Sequence, residues 1–142
     1  MPRCAVLGSP ISHSLSPILH RAAYAELGLA DWTYDAIDVT ESQLADFLAS
    51  CGPEWAGLSL TMPLKREVLA LAEQVSALAM RAQAANTLVR TESGWHADNT
   101  DVPGAVNAIK ERWSEPINSA VIVGAGATAG SLVLALEMLG CE

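Results

Sequence analysis

Lys65 has the setting in this chain that most suggests proton chemistry. It follows Trp55 to Leu60, a short apolar run that suits a buried strand. The run breaks at Met62-Pro63, because proline cannot donate to a sheet ladder yet is tolerated in a first helical turn. An amphipathic segment then extends from Lys65 to Ala72. A surface lysine at a helix start explains the same spacing, although the helix dipole slightly disfavours a cation there. What separates the two readings is a carboxylate partner. Asp101, in the run Asp98-Asn99-Thr100-Asp101, is a candidate, since an ionised carboxylate within a few ångströms holds an ammonium charged and orients it. Asn, Thr and Asp ahead of a helix also serve as caps, and Thr100 or Asp101 could do only that.

A second polar cluster lies in Ile11-Ser12-His13-Ser14-Leu15-Ser16-Pro17. Ser14 and Ser16, two hydroxyls one residue apart on a loop, can bind a carboxylate or sugar-like hydroxyls. Capping by Ser16, with Ser14 solvated, is the simpler account of the pair taken alone. His13, His20 and His96 share no metal-ligand spacing, so no metal site is expected. The third cluster is Gly124-Ala125-Gly126-Ala127-Thr128-Ala129. Gly124 and Gly126 fit the first two glycines of a dinucleotide fingerprint and Ala129 its third, small position. The blander reading is a plain strand-to-helix turn.

The elements that must position these groups alternate. Arg3–Leu7 reads as a strand and Ser16-Pro17 as a helix start. Ile18, Leu19, Ala22, Ala23 and Leu27 have helical spacing, closed by Gly28. Trp32–Val39 reads as a second strand, with Trp32, Tyr34 and Ala36 alternating against Thr33 and Asp35. Thr40 and Gln43 suggest a capping box for a helix over Glu41–Ser50. After Trp55–Leu60 come helical pieces to Leu71 and from Ser76 to Ala82, then a hairpin of Asn86–Arg90 and Gly94–Asp98. A helix over Asp101–Arg112 follows. Ser119–Val123 is expected to be a strand entering the glycine loop, with a helix over Ser131–Leu139. This pattern predicts an α/β fold, a mostly parallel-sheet domain followed by the start of a Rossmann domain.

The chain has 142 residues, 51% of them hydrophobic, and a formal charge of −8. That balance, without a basic cluster, argues against nucleic acid or an anionic membrane as a partner. Three cysteines without C-x-x-C spacing suggest reduced thiols in a cytoplasmic protein. No segment has signal-peptide or transmembrane length.

Together the stretches Gly8 to Pro17, Leu60-Thr61-Met62-Pro63-Leu64-Lys65, Ala85-Asn86-Thr87-Leu88, Asp98 to Asp101 and the glycine loop resemble the shikimate dehydrogenase family. The resemblance implies a substrate domain over residues 1–101. Residues 102–142 would be a linker helix and the first strand, loop and helix of an NADP-binding Rossmann domain. It implies that Ser14 and Ser16 hold a substrate carboxylate and that Thr61, Asn86 and Asp101 bind ring hydroxyls. Lys65 would be the acid/base residue, paired with Asp101, and Gly124 to Ala129 would bind NADP. The reaction implied is reversible reduction of 3-dehydroshikimate to shikimate in aromatic amino-acid biosynthesis. Ser59 departs from the family's frequent asparagine. An NAD-dependent quinate/shikimate dehydrogenase, a methylenetetrahydrofolate dehydrogenase and a non-catalytic binding module are the competing readings. The chain is expected to be a piece of a longer polypeptide with little activity alone. A homodimer is left open.

Overall fold

Six strands form one sheet in the order β2-β1-β3-β5-β6-β4 in the computed structural model, which describes residues 1–141. The elements are β1 (Arg3–Gly8), α1 (Ser16–Glu26), β2 (Thr33–Asp38), α2 (Glu41–Ser50) and β3 (Trp55–Leu60). Then come α3 (Leu64–Glu67), which tightens into a 3-10 turn over Val68–Ala70, β4 (Gln74–Val75) and α4 (Ala77–Ala82). They are followed by β5 (Thr87–Thr91), β6 (Gly94–Asp98), α5 (Asp101–Arg112) and α6 (Ala127–Met138).

β1 pairs in parallel with β2 and β3, and β4 with β6, whereas β5 runs antiparallel to both β3 and β6. The carboxyl ends of β1, β3 and β6 and the start of β5 therefore meet at one edge of the sheet. Alternation along the strands divides the sheet's faces. Ala5, Leu7, Leu58 and Leu60 pack with Leu44 and Leu48 of α2. Cys4, Val6 and Tyr34 pack on the opposite face, against Tyr24 of α1. Because α1 and α2 lie on opposite faces, the chain changes direction at β1, the kind of switch point where α/β sheets open a ligand crevice.

Local chemistry explains several boundaries. Gln43 Oε1 accepts the Thr40 backbone N–H at 3.0 Å, giving α2 its capping-box bond. Gly28, at φ +69°, ends α1 in the left-handed region that glycine adopts without penalty. Ser76 Oγ accepts from the Ala79 N–H at 3.0 Å and caps α4.

Three sequence expectations are corrected. Ser119–Val123 is not a strand: no neighbouring strand pairs with it among the described residues, and Val121 and Val123 are 91% and 98% exposed. Val/Ile content favours strand only where a ladder partner exists. Of the expected opening of a Rossmann domain, the structure has the glycine loop and α6 but not the strand before them. Ser16 is not the N-cap of α1. It lies inside the helix, and Ser14 Oγ takes the Ser16 N–H at 3.3 Å, the reverse of the expected roles. At α5, neither Thr100 nor Asp101 caps; Asn99 Oδ1 accepts the Val102 N–H at 3.1 Å.

α5 and α6 pack through a separate cluster of Val102, Val106, Leu134 and Ala135, to which Ala82 of α4 adds. Asn99 and Ser131, both 1% exposed, join there through Asn99 Nδ2 to Ser131 Oγ at 3.0 Å. The same amide nitrogen donates to Ala84 O at 2.9 Å.

Candidate active site

Thr61 leaves β3 with its N–H on Leu7 O at 2.9 Å, and Thr61 O accepts the Leu64 N–H at 2.9 Å. This turn requires Gly8. A Cβ there would collide with Thr61 Cγ2 and lie 2.9 Å from Met62 O. Leu64, fully buried, anchors α3, so that Lys65 one residue later points back towards the strand ends. The Lys65 carbonyl accepts the Ala85 N–H at 2.8 Å, tying the backbone of α3 to the segment that leads into β5.

Lys65 Nζ donates to Asp101 Oδ2 at 2.7 Å, with side chains 15% and 27% exposed. The other carboxylate oxygen, Oδ1, accepts from Asn86 Nδ2 at 2.9 Å. Thr100 N–H donates to Asn86 Oδ1 at 2.9 Å, which fixes the amide with its NH2 towards the carboxylate. Asn86 Nδ2 also lies 2.9 Å from Thr100 Oγ1. Both ends of the Asn86 amide are therefore engaged, one of them on Asp101. A partly shielded ammonium with a fixed counter-charge and an open side can stabilise and protonate a developing alkoxide.

Ser14 and Ser16 lie at the start of α1, near the end of β1. His20, one turn further on, puts Nδ1 2.9 Å from Ser16 O; a carbonyl only accepts, so Nδ1 carries the hydrogen. The His20 ring stacks on Tyr34 with centroids 3.9 Å apart and planes 12° apart. Tyr34 Oη donates to Ser59 Oγ at 2.7 Å.

On the far side of Lys65, a cavity of about 520 Å³ opens between Thr61 and Lys65 on one wall and Gly124, Gly126 and Thr128 on the other. Gly124 has φ +129°, a conformation glycine tolerates, and a Cβ at Gly124 or Gly126 would meet no atom within 4 Å. Backbone exposed in this way, opening into the N-terminus of α6, suits a pyrophosphate. The residues present thus fit a dinucleotide. Arg66 Nη2 reaches Ala125 O at 3.3 Å, so α3 and the glycine loop touch.

The family described as the shikimate dehydrogenase substrate binding domain matches residues 6–88. The chain belongs to the shikimate dehydrogenase family. An NADP(+) shikimate dehydrogenase of Synechocystis is 38% identical over 140 residues, covering 96% of this chain and 47% of that protein. The structure of the Mycobacterium tuberculosis shikimate dehydrogenase superposes with a TM-score of 0.90 at 45% identity, covering 99% of this chain and 52% of that one. The Thermus thermophilus shikimate 5-dehydrogenase, solved in complex with NADP(H) and shikimate, gives 0.93 at 37% identity, covering 100% and 54%. The chain spans about half the length of these relatives. None of its described helices is long and apolar enough to cross a membrane.

Within this shikimate dehydrogenase framework, Lys65, Asp101 and Asn86 form one bonded group. Thr61 lines the same cavity as Lys65, whereas Ser14 and Ser16, in the loop after β1 and the first turn of α1, make no hydrogen bond to that group among the described residues. Sequence reading overlooked Tyr34 and His20. Tyr34 read as the apolar member of an alternating strand. The available signal was that a buried tyrosine hydroxyl needs a partner.

Proposed function

We propose that the chain carries the substrate-binding and proton-transferring part of an NADP-dependent shikimate dehydrogenase, which interconverts 3-dehydroshikimate and shikimate. Residues 1–101 form the substrate part, and residues 102–142 are the linker helix and the opening of the NADP-binding part. The observation that carries the reading is the Lys65–Asp101 pair, 2.7 Å apart, beside the cavity that Lys65 shares with the glycine loop. The NADP-dependent relatives and the ligands of the Thermus thermophilus complex support the choice of cofactor and substrate.

When bound, the nicotinamide supplies or accepts the hydride. Lys65 delivers a proton to the ketone oxygen as it becomes a hydroxyl and removes that proton in the reverse direction, so ketone, hydride and proton balance to an alcohol. Asp101 holds the ammonium at that oxygen, and Asn86 holds Asp101. Ser14 and Ser16 offer hydroxyl hydrogens to the substrate carboxylate, while Thr61 faces the ring. Gly124 to Ala129 receive the pyrophosphate.

In the native polypeptide, Lys65→Ala lowers kcat by about 10²- to 10⁴-fold, the range of a lost general acid, with a much smaller change in KM. Unchanged kcat rejects Lys65 as the proton donor.

A further inference from the structure

We propose that Tyr34 is a positioning residue that turns the Ser59 hydroxyl into the ligand cleft as a dedicated hydrogen-bond donor. The inference rests on the shikimate-type reading of the cleft and adds to it a contact set from beneath the sheet surface. Tyr34 is 2% exposed, and its hydroxyl lies 2.7 Å from Ser59 Oγ. A phenol is the stronger acid of the two hydroxyls, so Tyr34 donates and Ser59 accepts. Burial pushes the Tyr34 phenol above its ordinary value, so it remains a protonated donor across the physiological range.

Ser59 then has its own hydrogen left to place, and no acceptor for it is found among the described residues. Its position says where that hydrogen goes. Ser59 is the penultimate residue of β3 and shares a strand face with Thr61 by the two-residue period. In the β3–β5 register it lies opposite Thr87, the residue after Asn86. It thus belongs to the sheet edge where the candidate site opens, and a ligand oxygen is the acceptor in reach. A hydroxyl that accepts a short hydrogen bond becomes a better donor itself.

The seat of Tyr34 links this donor to the loop serines. His20 stacks on the Tyr34 ring and donates from Nδ1 to Ser16 O, so one stacked pair aligns the Ser16 backbone and the Ser59 hydroxyl together. The group recognised is an acceptor oxygen of a small polar ligand, with Ser59 contributing a neutral donor beside the charged Lys65.

The test is Tyr34→Phe, Ser59→Ala and the double variant in the native polypeptide, measured by shikimate titration and steady-state kinetics. Tyr34→Phe keeps the ring and its stacking and removes only Oη; thermal melts report whether each variant is folded. Each single variant should weaken shikimate binding and raise KM about fivefold, the size of one hydrogen bond, with a smaller effect on kcat. The double variant should be no worse than Ser59→Ala alone, because Tyr34 acts through Ser59. Additive losses, or a folded Tyr34→Phe protein with unchanged KM beside a weakened Ser59→Ala, overturn the positioning role and leave the cleft reading standing. Failure of the unmodified protein to bind shikimate overturns the cleft reading and this inference with it.

Discussion

Asp101→Asn changes one carboxylate oxygen to an NH2 group and leaves the shape of the site intact. In the native structure both oxygens accept, Oδ2 from Lys65 Nζ at 2.7 Å and Oδ1 from Asn86 Nδ2 at 2.9 Å. An amide cannot satisfy both. Turned one way, its NH2 faces the lysine ammonium; turned the other way, it faces the Asn86 NH2, which Thr100 N–H holds in place through Oδ1. One donor–donor clash follows in either rotamer. A charge-assisted hydrogen bond of this kind contributes about 1.5–3 kcal/mol. Lost from the group that aims the proton, that corresponds to a drop of about 10- to 150-fold in kcat, at 1.36 kcal/mol per decade. The fold should survive, because both side chains retain some access to water and the carboxylate shape is kept. The assay is the initial rate of NADPH consumption with 3-dehydroshikimate in the native polypeptide, alongside a thermal melt. A cooperative melt together with kcat within about twofold of the unmodified protein would refute the view that Asp101 orients Lys65.

Two further outcomes are expected. Gly126→Val should leave the melting temperature nearly unchanged, since a Cβ there meets no atom within 4 Å. It should nonetheless weaken NADP binding by at least about tenfold, roughly 1.4 kcal/mol, by filling the approach to the loop; equal affinity by nicotinamide fluorescence titration would remove this loop from the cofactor site. Glu73 accepts the Trp95 backbone N–H, and this bond holds its carboxyl below the usual 4.5. A lowered native pKa gives stability that is present above the unfolded value and lost as pH falls through the native one. Glu73→Gln should therefore lower the melting temperature at pH 7, and the gap to the unmodified protein should close in acid. A gap that stays constant on acidification contradicts this.

The order of strands and helices was legible because each has its own signal. β1 and β3 are apolar runs ended by Gly8-Ser9-Pro10 and Met62-Pro63, and α2 announces itself through Thr40 and Gln43. The meeting of Lys65 with Asp101, 36 positions later in the chain, came through family resemblance, since no local pattern encodes so distant a pairing. What escaped reading depends on partners. β4 is a two-residue strand that exists through its pairing with β6 and has no period of its own. Ser119–Val123 carries every intrinsic mark of a strand and lacks a neighbour to pair with. The Ser14/Ser16 reversal reflects a single backbone hydrogen bond. Tyr34 and Ser59 are separated by 25 positions and lie on either side of β1, so their hydrogen bond follows from the register of three strands.

Asn99 behaves like a rivet driven through two plates. Its amide holds the first turn of α5, where Asp101 begins, and reaches Ser131 in the helix that leaves the glycine loop. The side of the cleft that holds Asp101 and the helix that leaves the glycine loop thus share a buried hydrogen bond at Asn99, 1% exposed, in addition to the apolar cluster between α5 and α6. Asn99 is thereby bonded both to α6 and to the turn that carries Asp101. A misplacement of about 1 Å between reacting groups can cost on the order of 10²-fold in rate. On the proposed function, the spacing of the two half-sites would be set in part by this buried contact, and Ser131→Ala is expected to lower kcat while leaving the substrate KM nearly unchanged in steady-state kinetics.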